Sequence, residues 1–171
     1  MPTSTYIALA NITLGSDDAD VTFASIPATY RDLVIVGQVR STRSDTDDDL
    51  FIQFNSDTGS NYSYVRMVGR TGGASSATNI NGTNQNDLGQ VPANSATAGQ
   101  FAAAICNIMD YSATDKHKTT LTRNNSADSF QAVGAHAGRW ASTNAIDTIK
   151  VYCRVGNLKS GSTLALYGIV S

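Results

Sequence analysis

Apolar residues recur at every second position in many short segments of the chain, which is the spacing of a β-strand with one buried face. The clearest example is near the C-terminus, where Ile149, Val151, Cys153 and Val155 alternate with polar or aromatic residues. Residues 163–169 resume the same pattern after a turn. The segments between such runs are rich in Gly, Ser, Asn and Asp, which favour turns. The pattern predicts an all-β chain.

Eight further segments have strand character: residues 6–14, 21–23, 33–40, 50–54, 62–68, 101–109, 118–123 and 130–137. The first has a slip in its alternation near Ala10, which predicts a β-bulge. Residues 33–40 begin with apolar residues on both faces, which predicts a central strand. We predict two hairpins, one joining 50–54 to 62–68 and the other joining 118–123 to 130–137.

From residue 69 to residue 99 the chain consists mainly of Gly, Ser, Thr, Asn, Ala and Gln, with isolated apolar residues at Ile80, Leu88 and Val91. This composition predicts one long polar loop, within which residues 79–81 could pair briefly with a sheet edge. Loops of this length are uncommon inside a domain and are usually functional or held by a partner.

Eight to ten strands with frequent turns predict an antiparallel two-sheet β-sandwich of jelly-roll type, with an open β-barrel as the alternative. The composition also favours an all-β fold over a helical one, because all fourteen acidic residues are Asp and the good helix formers are scarce. A chain of 171 residues is long enough to bury a sizeable core in one domain, here residues 1–171.

Charge and hydropathy restrict the partners. Charged residues make up 15% of the chain and the formal net charge is −2, so no broad basic surface is expected for nucleic acid or an anionic membrane. No apolar run approaches the roughly 20 residues of a membrane helix, and the N-terminus lacks the features of a signal peptide. We therefore expect synthesis in the cytoplasm, with Cys106 and Cys153 as buried thiols; a disulfide between them stays open.

Two groups of residues have side chains that could ligate a metal. The segment from Asp45 to Asp49 has four carboxylates in five positions, a spacing that can ligate calcium, although it lacks the glycine and glutamate of an EF-hand loop. A solvated acidic turn is the favoured interpretation, and cation binding remains open. His117 and His136 have no His or Cys neighbour at zinc-ligand spacing.

The sequence offers little for catalysis. Ser112, His117 and Asp110 could in principle form a triad, but in so serine-rich a chain their proximity is uninformative. There is no Gly-x-Ser-x-Gly elbow, and residues 69–73 lack the Lys-Ser/Thr ending of a phosphate loop. We predict that the protein is not an enzyme and has no catalytic residues, metal or cofactor.

Arginine is twice as frequent as lysine, and arginine and tyrosine are enriched at protein interfaces. The candidates for a subunit or partner contact are Tyr62, Tyr64, Arg66, Arg139 and Trp140. The alternative is that the tyrosines cover the edge of the sandwich core.

Three segments resemble small virion structural proteins of tailed bacteriophages. The first is 23–35, with a Phe, a Ser, Ile-Pro and a Tyr; the second is 51–63, with Phe-Asn and an Asp-Thr-Gly-x-Asn-Tyr turn; the third is 161–169, with a closing Leu-Tyr-Gly-Ile strand. Their order and spacing agree along nearly the whole chain, although the motifs specify turns and core positions.

This resemblance implies a jelly-roll domain at the virion surface and brings no catalytic residues. Its most frequent role is that of a capsid decoration (cement) protein, which binds the outer surface of the major capsid protein shell and stabilises the head, typically as a homotrimer. The second role is that of a tail-fibre or receptor-binding module that contacts the host.

Overall fold

The computed structural model describes residues 4–70, 75–126 and 133–170. This part of the chain contains twelve β-strands and no α-helix. The strands are β1 (Tyr6–Thr13), β2 (Asp20–Phe23), β3 (Asp32–Val39), β4 (Asp47–Phe54), β5 (Tyr62–Gly69), β6 (Ser75–Thr83), β7 (Asn86–Pro92), β8 (Ala102–Met109), β9 (Lys118–Asn125), β10 (Val133–Trp140), β11 (Ile149–Cys153) and β12 (Thr163–Ile169).

The strands form two antiparallel sheets. The large sheet has eight strands in the order β1-β12-β3-β8-β9-β10-β5-β6, and the small sheet has four in the order β2-β11-β4-β7. The prediction of an antiparallel, jelly-roll-like β-sandwich is confirmed. The two sheets remain separate, so the open barrel does not form. Strand β3 lies between β12 and β8, as expected of a central strand, and β1 has its register shift between Ala8 and Ala10.

The core lies between the inner faces of the sheets. Leu33 and Ile35 of the large sheet and Leu50 and Ile52 of the small sheet are at most 2% exposed. Burying each such side chain contributes about 1.5–3 kcal/mol. At one end of the core the ring centroids of Phe54 and Trp140 are 5.6 Å apart and those of Tyr62 and Trp140 are 6.3 Å apart.

One predicted hairpin is confirmed and the other is wrong. Strands β9 and β10 pair without a register shift from Asn125–Val133 to Lys118–Trp140. Strands β4 and β5 lie in different sheets and meet face to face, where the Tyr62 hydroxyl accepts a hydrogen bond from the Phe54 amide at 2.9 Å. The connecting loop is long enough to cross the roughly 10 Å between stacked sheets, and sequence alternation cannot distinguish that crossing from a hairpin.

The long polar loop predicted at residues 69–99 is also wrong. Strand β6 pairs with β5, and β7 pairs with β4, so most of this segment is sheet; residues 71–74 lie outside the described part. Strand β7 was missed because its apolar residues Leu88 and Val91 are set among polar residues and a glycine without a period of two, yet every residue in it is buried. Likewise, β4 begins at Asp47, inside the segment from Asp45 to Asp49 that was interpreted as a solvated acidic turn.

Strand β8 presents one buried face and one half-exposed face, so only one of its two apolar faces belongs to the core. Cys106 and Cys153 are both buried free thiols, in agreement with the expectation. They lie on β8 of the large sheet and β11 of the small sheet, and burial raises the pKa of each to about 12. Among the described residues, no helix has the length and apolar character to cross a membrane.

Candidate functional site

Three of the five interface candidates are core residues. Tyr62 and Trp140 are each 1% exposed and Tyr64 is 6% exposed. All three occupy inward positions of β5 and β10, so the interpretation of the tyrosines as core residues is correct and their assignment to a surface contact is wrong. Burial raises the pKa of Tyr64 to about 12.

The remaining two candidates, both arginines, point in opposite directions. Arg66 is on the inner face of β5, where its Nη1 lies 3.2 Å from Asp87 Oδ2 and 3.4 Å from Asp49 Oδ1. Because Asp49 is on β4 and Asp87 is on β7, this arginine ties the two sheets together, and its side chain is only 17% exposed. Arg139 is exposed on the outer face of β10 and is the one candidate that remains available.

A buried polar network continues from Arg66 across the inner face of the large sheet. Asp87 accepts a hydrogen bond from the Gly89 amide at 2.7 Å, and its Oδ2 lies 3.5 Å from His136 Nδ1. His136 Nε2 is 3.1 Å from Asn124 Oδ1, while Asn124 Nδ2 donates to the Gln90 carbonyl at 2.9 Å. This bond fixes the orientation of the Asn124 amide, so His136 Nε2 is the donor.

Glycines make room for this network. Gly89 has a φ of +106°, and a Cβ there would lie 2.1 Å from Asn124. A Cβ at Gly138 would lie 2.5 Å from the Thr120 hydroxyl oxygen. The network was missed because its residues are distant in sequence. The available signal was the pair Gly134 and Gly138, which lie two positions before and after His136 on the same face of β10.

Three of the carboxylates considered as a possible calcium site bind groups of the protein itself. Asp48 accepts from the Ser41 hydroxyl at 2.7 Å and from the Gly156 amide at 2.9 Å, Asp49 pairs with Arg66, and Asp45 lies 2.9 Å from the Arg43 guanidinium. In the part of the chain described, no three His, Cys, Asp or Glu residues are grouped so that they could hold a metal. Burial, followed by the charge of Asp49, raises the pKa of Asp47.

The three residues weighed as a triad are not assembled either. Asp110 Oδ2 lies 3.7 Å from Lys116 Nζ. Within the described ranges, no hydrogen bond joins Asp110, His117 and Ser112 to one another.

The motifs that carry the phage resemblance have structural roles. In the Asp-Thr-Gly-x-Asn-Tyr turn, Asp57 accepts hydrogen bonds from the Gly59 amide at 2.8 Å, from Asn61 Nδ2 at 2.9 Å and from the indole of Trp140 at 2.7 Å. The Ile-Pro-x-x-Tyr segment meets the closing strand, because a Cβ at Gly168 would lie 2.4 Å from the Tyr30 ring. The residues of these motifs therefore stabilise turns and packing contacts of the fold, and the candidate binding surface is formed by other residues.

The most unusual surface is on the outside of the large sheet. We define the outer face as the outward-pointing residues of β5, β8, β9 and β10. Four large hydrophobic residues on it are between 43% and 60% exposed: Val65, Met67, Leu121 and Val133. Strand pairing makes the patch continuous, since Ala137 lies between Val65 and Leu121, and Ala135 is paired with Met67.

The outer face is nearly flat and has only open, shallow depressions. One open depression on it, of about 360 Å³, is lined by residues that include Ser63, Val65, Ala137 and Arg139. Small-molecule sites are usually concave and enclose most of the ligand, whereas exposed apolar patches mark protein contacts. The outer face is therefore the best candidate functional site, and its shape favours a macromolecular partner.

No protein-family model matches this sequence, and the search of curated proteins found no match. Among solved structures, the chain is similar to the Caenorhabditis elegans galectin LEC-6, with 8% identity over 94% of this chain and 96% of that chain and a TM-score of 0.35. It is also similar to scytalido-glutamic peptidase, with 9% identity over 91% of this chain and 66% of that one and a TM-score of 0.27.

Proposed function

We propose that this protein is a capsid decoration (cement) protein of a tailed bacteriophage, which binds the outer surface of the major capsid protein shell through its outer face and stabilises the head. The observation that carries the proposal is the continuous apolar patch around Val65, Met67 and Leu121. Large exposed patches of this kind mark interaction sites, because leaving them in water forgoes the free energy of burial.

The buried ionisable groups support a structural rather than a catalytic role. The ionisable groups that lie close together, such as Arg66, Asp87 and His136, connect the two sheets inside the sandwich. The resemblance to phage virion proteins supplies the location at the capsid surface and the homotrimer, both of which belong to the proposal.

The test uses phage heads that lack the protein. Purified protein is sized by light scattering and then co-sedimented with the heads across a concentration series. We expect a trimer that saturates the heads at a fixed ratio. Leu121→Asn should weaken head binding about tenfold, since a central apolar contact contributes more than 1 kcal/mol.

Val155→Asn is the matched control, because Val155 is 64% exposed and lies outside the outer face. It should bind as the unmodified protein does. Failure of the unmodified protein to sediment with heads would overturn the proposal. Binding to host cells in place of heads would identify a tail-fibre or receptor-binding module.

A further inference from the structure

The outer face carries positive charge without negative charge. Its outward positions on β5, β8, β9 and β10 include Arg123 and Arg139 and no Asp. Both arginines are exposed, and neither has an ion-pair or hydrogen-bond partner among the described residues. Elsewhere on the chain, by contrast, Arg43, Arg66 and Arg154 are all paired with carboxylates.

The two arginines flank the apolar patch. Arg139 is paired across strands with Thr119, and Arg123 is four residues further along the same strand, β9. At about 3.4 Å per residue, their backbone positions are separated by about 14 Å. Leu121 and Ala137, which are partners in the ladder, lie between them. Arg139 thus stands at one end of the apolar patch, and Arg123 stands at its β9 side, in the row that holds Ala135 and Met67.

We propose that the outer face binds a protein surface with an apolar centre and carboxylates at its margins, spaced to meet Arg123 and Arg139. Arginine binds carboxylates through two parallel hydrogen bonds, which would fix the orientation of the partner. The inference rests on the proposed function in that it specifies the chemistry of the partner surface for the same face.

A second copy of this chain is a poor occupant of the outer face. A two-fold contact places the same patch on both sides, so it would bring four guanidinium groups together and no carboxylate from the described outer face. Burying charges without partners is strongly unfavourable. In a homotrimer, whose contacts join two different surfaces, the outer face could meet only a different surface of the neighbouring copy.

The net charge of the chain makes this inference testable. At a formal charge of −2 the whole molecule is weakly repelled by acidic surfaces, so binding to such a surface must come from a local feature. The probe is a pair of bead resins with the same phenylalkyl group, one ending in a carboxylate and the other in a trimethylammonium. We expect retention on the carboxylate resin and release as salt is raised.

The double variant R123E/R139E should bind the carboxylate resin at least about tenfold more weakly, and R123Q/R139Q should fall between it and the unmodified protein. Arg31→Glu is the control, because Arg31 is 69% exposed and outside the outer face. Circular dichroism confirms that each variant is folded. The inference would be overturned if the carboxylate resin retained R123E/R139E and the unmodified protein equally, or if it retained neither of them.

The same variants separate this inference from the proposed function. If the unmodified protein ignores heads while the arginines still govern retention on the carboxylate resin, the capsid assignment fails and the partner chemistry stands. If the protein binds heads and R123E/R139E binds them equally well, the partner chemistry fails and the capsid assignment stands. A change in oligomeric state caused by R123E/R139E would show that a second copy occupies the face, and would overturn the inference.

Discussion

Arg40 holds the segment that carries the chain from the small sheet to the large one. Its side chain is buried, and its guanidinium donates to four backbone carbonyls between β7 and β8. Nη1 bonds the carbonyls of Thr97 at 2.7 Å and Gln100 at 2.8 Å, and Nη2 bonds those of Ala93 at 2.7 Å and Ala96 at 2.9 Å. No carboxylate among the described residues pairs with Arg40, so the carbonyl dipoles provide its compensation.

The substitution Arg40→Met keeps an apolar stem and removes all the donors. Hydrogen bonds to a charged group contribute about 1.5–3 kcal/mol each, so four of them set an upper bound of about 6–12 kcal/mol. Two effects reduce the loss: the variant no longer desolvates a guanidinium, and the segment can open locally to hydrate its carbonyls. We expect a loss of about 3–5 kcal/mol in the free energy of unfolding. Arg40→Lys should lose about 2 kcal/mol, because an ammonium has three donors and lacks the planar fork.

The assay is urea denaturation followed by the fluorescence of Trp140, the single tryptophan, together with limited proteolysis of residues 93–100. Proteolysis should become faster in Arg40→Met, because the segment loses its anchor. Arg31→Met is the control, and as an exposed arginine it should change stability by less than about 0.5 kcal/mol. A loss below about 1 kcal/mol in Arg40→Met, with unchanged proteolysis, would refute the reasoning.

Three further predictions concern the core and its margins. Burial acts to raise the pKa of Asp57, but hydrogen bonds from Trp140, Asn61 and Gly59 outweigh it, so that the pKa is lowered in the folded protein. The carboxylate therefore stabilises the fold above its unfolded pKa, and this contribution is lost as the pH falls through the folded pKa. An acid titration of Trp140 fluorescence should show this step and Asp57→Asn should lack it; a step of equal size in both proteins would contradict the assignment. Gly138→Ala should lower the free energy of unfolding by about 2 kcal/mol in thermal melts, whereas Gly15→Ala, with open space around its Cβ, should be neutral; equal effects would refute the steric argument. Because burial raises the pKa of both cysteine thiols, a thiol reagent should label them only after denaturation, and rapid labelling of the native protein would disagree.

The sandwich could be predicted because most of its strands have an apolar inner face and a clear period of two. Strands β11 and β12 are the best examples, with burial alternating residue by residue. Strand β7 could not be found in this way, since Asp87 and Gln90 are buried and accept hydrogen bonds from Arg66 and Arg70, which are distant in sequence. A polar segment that is satisfied by cross-sheet hydrogen bonds has the composition of a loop.

The interface candidates failed for a different reason. Strand β5 places Tyr62, Tyr64 and Arg66 inward and Val65 and Met67 outward. Alternation divides these residues correctly into two sets, but both sets contain large apolar side chains, so the pattern does not say which set faces the core. The choice is made by Phe54 and Trp140, which pack on Tyr62 and are distant in sequence. Exposed Val65 and Met67 are the consequence, and they were not singled out.

This half of the large sheet has polar side chains on its inner face and large apolar ones on its outer face. Beside the buried aromatic residues, the inner face holds Arg66, which pairs with Asp87, and Asn124, which donates to the Gln90 carbonyl, while the outer face holds Met67 and Leu121 in water. The inner contacts already bind the sheets together, so the apolar surface that remains is on the outside. Covering it would add about 25 cal/mol for each Å² of apolar area removed from water. A partner that docks there therefore stabilises the strands that the core itself leaves half covered.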